Sequence, residues 1–126
     1  MTNSAITRVL IVDSHEGVRL GLTIALTTVE DMLVVGQAAR GAEALRLCGE
    51  SQPDVVLMEL QLPDQAGICV IQMICRRYPH IQVVVLTTNQ TEDLRQQALA
   101  AGACGYLQKY VAADELIEVI RTVKAD

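Results

Sequence analysis

Apolar positions along the chain follow two alternating patterns. Short unbroken apolar runs are separated by longer stretches in which apolar residues recur three and four apart. The runs at 8–12, 32–38, 55–58, 81–86 and 104–107 are too brief for helices and predict strands. Those at 8–12, 55–58 and 81–86 carry almost no polar residue, as expected of strands covered on both faces. The stretches between them predict helices from 15 to about 28, over 41–51, over 66–78, from 91 to about 101, and over 113–123. Their inward stripes are Val18, Leu22, Ala25, Leu26 and Val29, then Ala44, Leu45, Leu47 and Cys48, then Val70, Ile71, Ile74 and Cys75, and finally Ala113, Leu116, Ile117 and Ile120. Breaks fall where the chemistry asks for them. Pro53-Asp54 and Tyr78-Pro79-His80 end helices, Thr91 is placed to cap one, and Gly102 sits just past its end.

A strand–helix unit repeated five times implies right-handed crossovers and a parallel sheet. The expected architecture is a doubly wound, three-layer flavodoxin-like (βα)5 domain of the α/β class, with strand order 2-1-3-4-5. One domain is expected over residues 7–124, with 1–6 and 125–126 as flexible ends.

Composition narrows the function classes. The chain has 126 residues, 51% hydrophobic, enough for one core. A formal net charge of −5 argues against a general nucleic-acid surface. No apolar run of membrane-spanning length occurs, and the first residues lack a signal-peptide pattern. A cytoplasmic location with no membrane contact is the expectation. Cys48, Cys69, Cys75 and Cys104 form no C-x-x-C pair and are expected to be small buried hydrophobes in a reducing compartment.

Candidate chemistry lies just past the strands. Asp13 and Ser14 follow the first, Glu59 ends the third, Thr87 ends the fourth and Lys109 follows the fifth. In the expected strand order these converge on one edge, where ligands gather in open α/β sheets. Each has a plain alternative. Asp13 could cap a helix, Thr87 could be a β-branched strand end, Lys109 a solvated lysine, Glu59 a strand-edge acid. Their joint occurrence favours a phosphoryl site, in which carboxylates hold a divalent metal and attack phosphorus while a hydroxyl and an ammonium bind the oxygens. A flavin or nucleotide binder on the same fold is disfavoured. The loop after the first strand, Asp13-Ser14-His15-Glu16-Gly17, is acidic, and aromatics make up 2% of the chain. No G-x-S-x-G elbow supports a hydrolase.

The stretches Arg8-Val9-Leu10-Ile11-Val12-Asp13, Leu33-Val34-Val35-Gly36-Gln37-Ala38, Pro53-Asp54-Val55-Val56-Leu57, Val84-Val85-Leu86-Thr87 and Gly102-Ala103-Cys104-Gly105-Tyr106-Leu107-Gln108-Lys109 together resemble the receiver domain of two-component response regulators, in its LuxR/NarL-type branch. The resemblance covers roughly residues 7–124. It implies a signalling module and not an enzyme. It puts Glu59 at the phosphoacceptor position, Thr87 at the signalling threonine, Tyr106 at the switch aromatic and Lys109 at the phosphate-binding lysine. Its implied partners are a sensor histidine kinase or another signalling protein and a possible homodimer. The implied contact surface is the face of the fourth helix, fifth strand and fifth helix. DNA would be reached only through a LuxR-type domain absent from this sequence, which ends where a linker would begin, so a receiver cut from a longer transcriptional regulator is expected.

The departures from the family pattern carry the sharper expectation. Glu59 stands where the family has aspartate, and Ser14 where it has a second acid. The remaining metal ligands would be Asp13, Glu59 and the Gln61 carbonyl, so Mg2+ binding is expected to be weak or absent, with no other cofactor. A carboxylate pushed out by one methylene, about 1.5 Å, should make acyl-phosphate formation lost or very slow, because misplacement of about 1 Å can cost on the order of 100-fold. Two outcomes remain open for Glu59. It could mimic the phosphorylated state by reaching Lys109 and Thr87, or the domain could be locked inactive and used only for docking. A working phosphoacceptor is the competing function.

Overall fold

The computed structural model describes residues 6–125. Its elements are β1 (Thr7–Val12), α1 (Glu16–Leu26), β2 (Met32–Ala38), α2 (Gly41–Ser51), β3 (Val55–Met58), α3 (Gly67–Arg77), β4 (Gln82–Thr87), α4 (Glu92–Ala101), β5 (Gly105–Gln108) and α5 (Ala113–Ala125). The strands form one sheet in the order β2-β1-β3-β4-β5, and every pairing is parallel. The expected doubly wound α/β architecture is therefore present, strand order included.

Alternation along each strand divides the core between the two faces of the sheet. Leu10, Val12, Val56, Met58, Val83 and Val85 pack against α2, α3 and α4. Val9, Ile11, Val55, Leu57, Val84 and Leu86 pack against α1 and α5. The three central strands bury both faces, which is why their sequences are continuously apolar.

The element ends differ from the sequence expectation in instructive places. Helix α1 stops at Leu26, two residues early, where the Thr27 and Thr28 hydroxyls donate to the carbonyls of Ile24 and Ala25 and compete with further helix. Strand β4 ends on Thr87, while β5 runs through Gln108, one residue later than the apolar run 104–107. Helix α5 continues to Ala125, so of the expected flexible ends only 1–5 and 126 lie outside the described residues. The cysteine expectation needs correcting: Cys48 is buried, but Cys69 and Cys104 are exposed, because they fall on the solvent side of α3 and just ahead of β5.

Two features of α3 and α4 fix the site. The N–H of Gly67 donates to the Leu60 carbonyl at 2.8 Å, and a Cβ there would lie 2.6 Å from the Leu60 Cα. Only glycine lets α3 start this close to the end of β3. Thr91 caps α4, its Oγ1 accepting from the Leu94 N–H at 3.3 Å, with Glu92 and Asp93 in the first turn. Thr91→Ala is expected to cost about 1 kcal/mol, read as a lower urea midpoint with an unchanged slope.

Candidate functional site

The sheet register brings the polar residues together. Val12 pairs with Met58 and Met58 with Val85, so Asp13 and Glu59 emerge side by side just past the ends of β1 and β3. Thr87 ends β4 opposite Gln108, and Lys109 follows directly. The Lys109 N–H donates to the Thr87 carbonyl at 3.1 Å and carries the β4–β5 pairing one step beyond the strands. Asp13, Glu59, Thr87 and Lys109 are all buried.

A buried charge must be paired, and the pairing here is close to complete. Lys109 Nζ lies 2.8 Å from Asp13 Oδ2 and 2.8 Å from Glu59 Oε1. The other Asp13 oxygen accepts from the His15 N–H at 2.8 Å and lies 3.0 Å from His15 Nδ1. The other Glu59 oxygen accepts from the N–H groups of Leu60 at 2.7 Å and Gln61 at 3.3 Å. Every carboxylate oxygen of the pair thus faces a donor. Burial alone pulls the Lys109 ammonium down, but its hydrogen bonds to Asp13 and Glu59 outweigh that and hold it above the ordinary lysine value.

Asp13 does not cap α1. The cap position is His15, with no side-chain cap bond, and Asp13 turns its carboxylate into the pocket instead. Arg19, one turn into α1, donates to the Asp13 carbonyl at 2.7 Å and fixes the loop from below. Ser14 is half-buried. The β3–α3 loop is tied down at its far end by Asp64, which accepts from the N–H groups of Gly41 at 2.8 Å and Ala42 at 3.0 Å. Those two backbone bonds hold the Asp64 carboxyl below the usual carboxylate range.

Thr87 and Tyr106 face one another across the β4–α4 loop. The Asn89 N–H donates to Thr87 Oγ1 at 3.3 Å, and the Tyr106 hydroxyl donates to the Asn89 carbonyl at 2.6 Å. The Tyr106 ring is half-buried against the α2–α4 side of the core. Burial, and then the charge of Glu59, raise its phenol above the ordinary tyrosine value. Thr87 and Glu59 share no hydrogen bond, so of the two contacts expected for a mimicking glutamate the one to Lys109 is present and the one to Thr87 is not.

Sequence reasoning found Asp13, Glu59, Thr87, Tyr106 and Lys109, and the structure brings them to one rim. It missed His15 as a partner of Asp13 and missed Gln90, whose side-chain amide donates to the carbonyls of Thr87 and Leu107 at 3.0 and 3.3 Å. An exposed glutamine in a loop has no periodicity to betray it. Among the described residues, no group of three or more His, Cys, Asp and Glu side chains could hold a metal, and no helix is long and apolar enough to cross a membrane.

This fold and this pocket place the chain in the response regulator receiver domain family, whose pattern matches residues 9–121. It is 39% identical over 118 residues to Response regulator GacA of Pseudomonas aeruginosa, covering 94% of this chain and 55% of that one. It is 40% identical over 114 residues to the Transcriptional regulatory protein LiaR of Bacillus subtilis, covering 90% and 54%. The chain thus spans about half the length of the curated relatives it matches. Among solved structures, a two-component response regulator of the LuxR family from Aurantimonas superposes with a TM-score of 0.89 at 32% identity, covering 95% of this chain and 86% of that one. As a receiver domain with LuxR/NarL-type relatives, the chain is a signalling module of two-component systems, a class that exchanges signals with histidine kinases and other signalling proteins.

Proposed function

We propose that this receiver sets its signalling state without acyl-phosphate chemistry, with the Glu59 carboxylate occupying Lys109 where a phosphoryl group would otherwise be held. The observation that carries this reading is the 2.8 Å contact between Glu59 Oε1 and Lys109 Nζ inside a buried pocket. The half-buried Tyr106, bonded to Asn89, supports the mimicking form over the locked inactive one.

The donor set fits Mg2+ poorly. A small hard cation needs near-ideal octahedral oxygens. Here Lys109 already lies against both carboxylates, the neutral Ser14 stands in place of a second acid, and the remaining carboxylate oxygens accept from His15, Leu60 and Gln61. Binding a divalent ion would require displacing the ammonium from both acids. No reaction step is therefore assigned to a metal in this pocket, and the module acts as a non-enzymatic switch.

Output would pass by protein contact across α4, β5 and α5, the face carrying Tyr106 and the exposed Leu99. A sensor kinase or another signalling protein, or a second copy, is the partner this face suits. Transcriptional control through a LuxR-type DNA-binding domain in the cytoplasm is the biological role we propose, because the curated relatives include a named transcriptional regulator.

Incubation with acetyl phosphate and Mg2+, read by intact mass, is expected to leave the native protein unmodified, and beryllofluoride with Mg2+ to leave its NMR spectrum unchanged. The double variant Ser14→Asp, Glu59→Asp restores two short acids beside Asp13 and is expected to gain one phosphoryl group under the same conditions. Uptake of phosphate by the native protein overturns the proposal.

A further inference from the structure

The β4–α4 loop is held by more bonds than a solvent-facing loop requires. Its Asn89 N–H and carbonyl join Thr87 Oγ1 to the Tyr106 hydroxyl. Gln90 adds a second tie of a different kind. Its side-chain amide turns back over the loop and donates to Thr87 O at 3.0 Å and Leu107 O at 3.3 Å, bridging the carboxyl ends of β4 and β5 beside the Lys109 N–H bond to the same Thr87 carbonyl. Thr87 is the last ladder position of β4 and Leu107 the last but one of β5, so the amide ties the two strands together where their pairing ends.

From this geometry we infer that Gln90 is a latch, a positioning residue whose amide keeps the β4–α4 loop in the conformation that receives Tyr106, with no group bound at Glu59. The inference rests on the reading of the pocket as phosphate-independent and supplies what that reading lacks. Glu59 makes no hydrogen bond to Thr87, so the pocket has no direct contact with which to draw the loop inward. A loop equilibrium is shifted only by contacts that differ between its two states, and the Gln90 amide is such a contact. It ties Asn89, and through it Tyr106, to the strand ends. The signalling face would then be set partly at the pocket and partly by a residue outside it.

The test compares three variants of this exposed position. Gln90→Met keeps the length and removes the donor. Gln90→Glu keeps the shape and turns a carboxylate onto two carbonyl oxygens. Gln90→Lys keeps donors. Hydrogen exchange at the Asn89 amide reads the opening of the loop, and nuclear Overhauser contacts between the Tyr106 ring and Asn89 read the position of the ring. Breaking these hydrogen bonds is expected to raise Asn89 exchange on the order of tenfold in the Met variant and more in the Glu variant. Tyr106 contacts should weaken in both, with the melting temperature nearly unchanged. The Lys variant is expected to behave as the native protein, which a role in shape alone would not produce. Native exchange at Asn89 in both the Met and Glu variants overturns the latch. Phosphate uptake by the native protein would instead overturn the pocket reading, and the latch would still stand or fall on the Asn89 exchange.

Discussion

Lys109→Met is expected to destabilise the domain by about 3 kcal/mol at neutral pH. The methionine fits the space, so the loss is electrostatic. Asp13 and Glu59 would remain buried at the same rim with no cation between them. Removing one partner of a buried ion pair leaves uncompensated charge, which costs far more than the pair contributes relative to an apolar replacement. The rim position of the site puts the effect at the lower end of the usual range. A companion variant separates this cause from simple loss of packing. Lys109→Met combined with Asp13→Asn and Glu59→Gln removes all three charges, and most of the lost stability is expected to return. Urea melts of the native, single and triple variants give the comparison. A triple variant as weak as the single one would show that shape, and not charge, is what Lys109 supplies.

The same cluster fixes a pH dependence. The Lys109 ammonium is held above its ordinary value in the folded state. Its contribution to stability is therefore fully present below the unfolded lysine pKa, about 10.4, and is lost as pH rises through the higher folded value. Native protein should lose stability across this alkaline window more steeply than Lys109→Met, which has no such group to titrate.

The fold was almost entirely legible because its signals are local and repeated. Unbroken apolar runs such as Val55-Val56-Leu57-Met58 fit only strands covered on both faces, and five alternations leave few topologies. The errors lie at element ends, where a side chain decides. The hydroxyls of Thr27 and Thr28 cut α1 short, and pairing with Thr87 of β4 carried β5 on to Gln108. The pocket was legible for a related reason: topology alone carries residues that follow parallel strands to one edge. What stayed hidden was who bonds to whom. Lys109 reaching Asp13 as well as Glu59, His15 serving Asp13 and the Gln90 amide reaching two carbonyls all depend on side-chain direction, and no periodicity encodes that. The exposure of Cys69 on α3 was hidden for the opposite reason: a small apolar residue fits either side of an amphipathic helix.

Gly67→Ala is expected to be among the most damaging single-methyl additions to this chain, costing on the order of 3 kcal/mol. An added Cβ would sit 2.6 Å from the Leu60 Cα, 2.7 Å from the Glu59 carbonyl oxygen and 2.9 Å from the Leu60 carbonyl oxygen. All three are backbone atoms, so no rotamer change relieves the overlap, and α3 must move away from the end of β3. The better helix propensity of alanine, about 1 kcal/mol, does not offset this. Gly17 and Gly21 on α1 supply the control, because a Cβ at either would meet nothing within 4 Å. Alanine at those positions is expected to stabilise by about 0.5–1 kcal/mol, since only the propensity term remains. The damage at Gly67 should also reach the pocket. The Leu60 and Gln61 N–H groups that bond Glu59 Oε2 lie on the segment that the new methyl pushes. Hydrogen exchange at these two amides should therefore rise in Gly67→Ala well before global unfolding, while Gly21→Ala leaves them protected. A Gly67→Ala protein with native stability and native protection at Leu60 would mean that α3 can slide along β3 freely, and Glu59 would then lack the fixed backbone donors that hold its carboxylate toward Lys109.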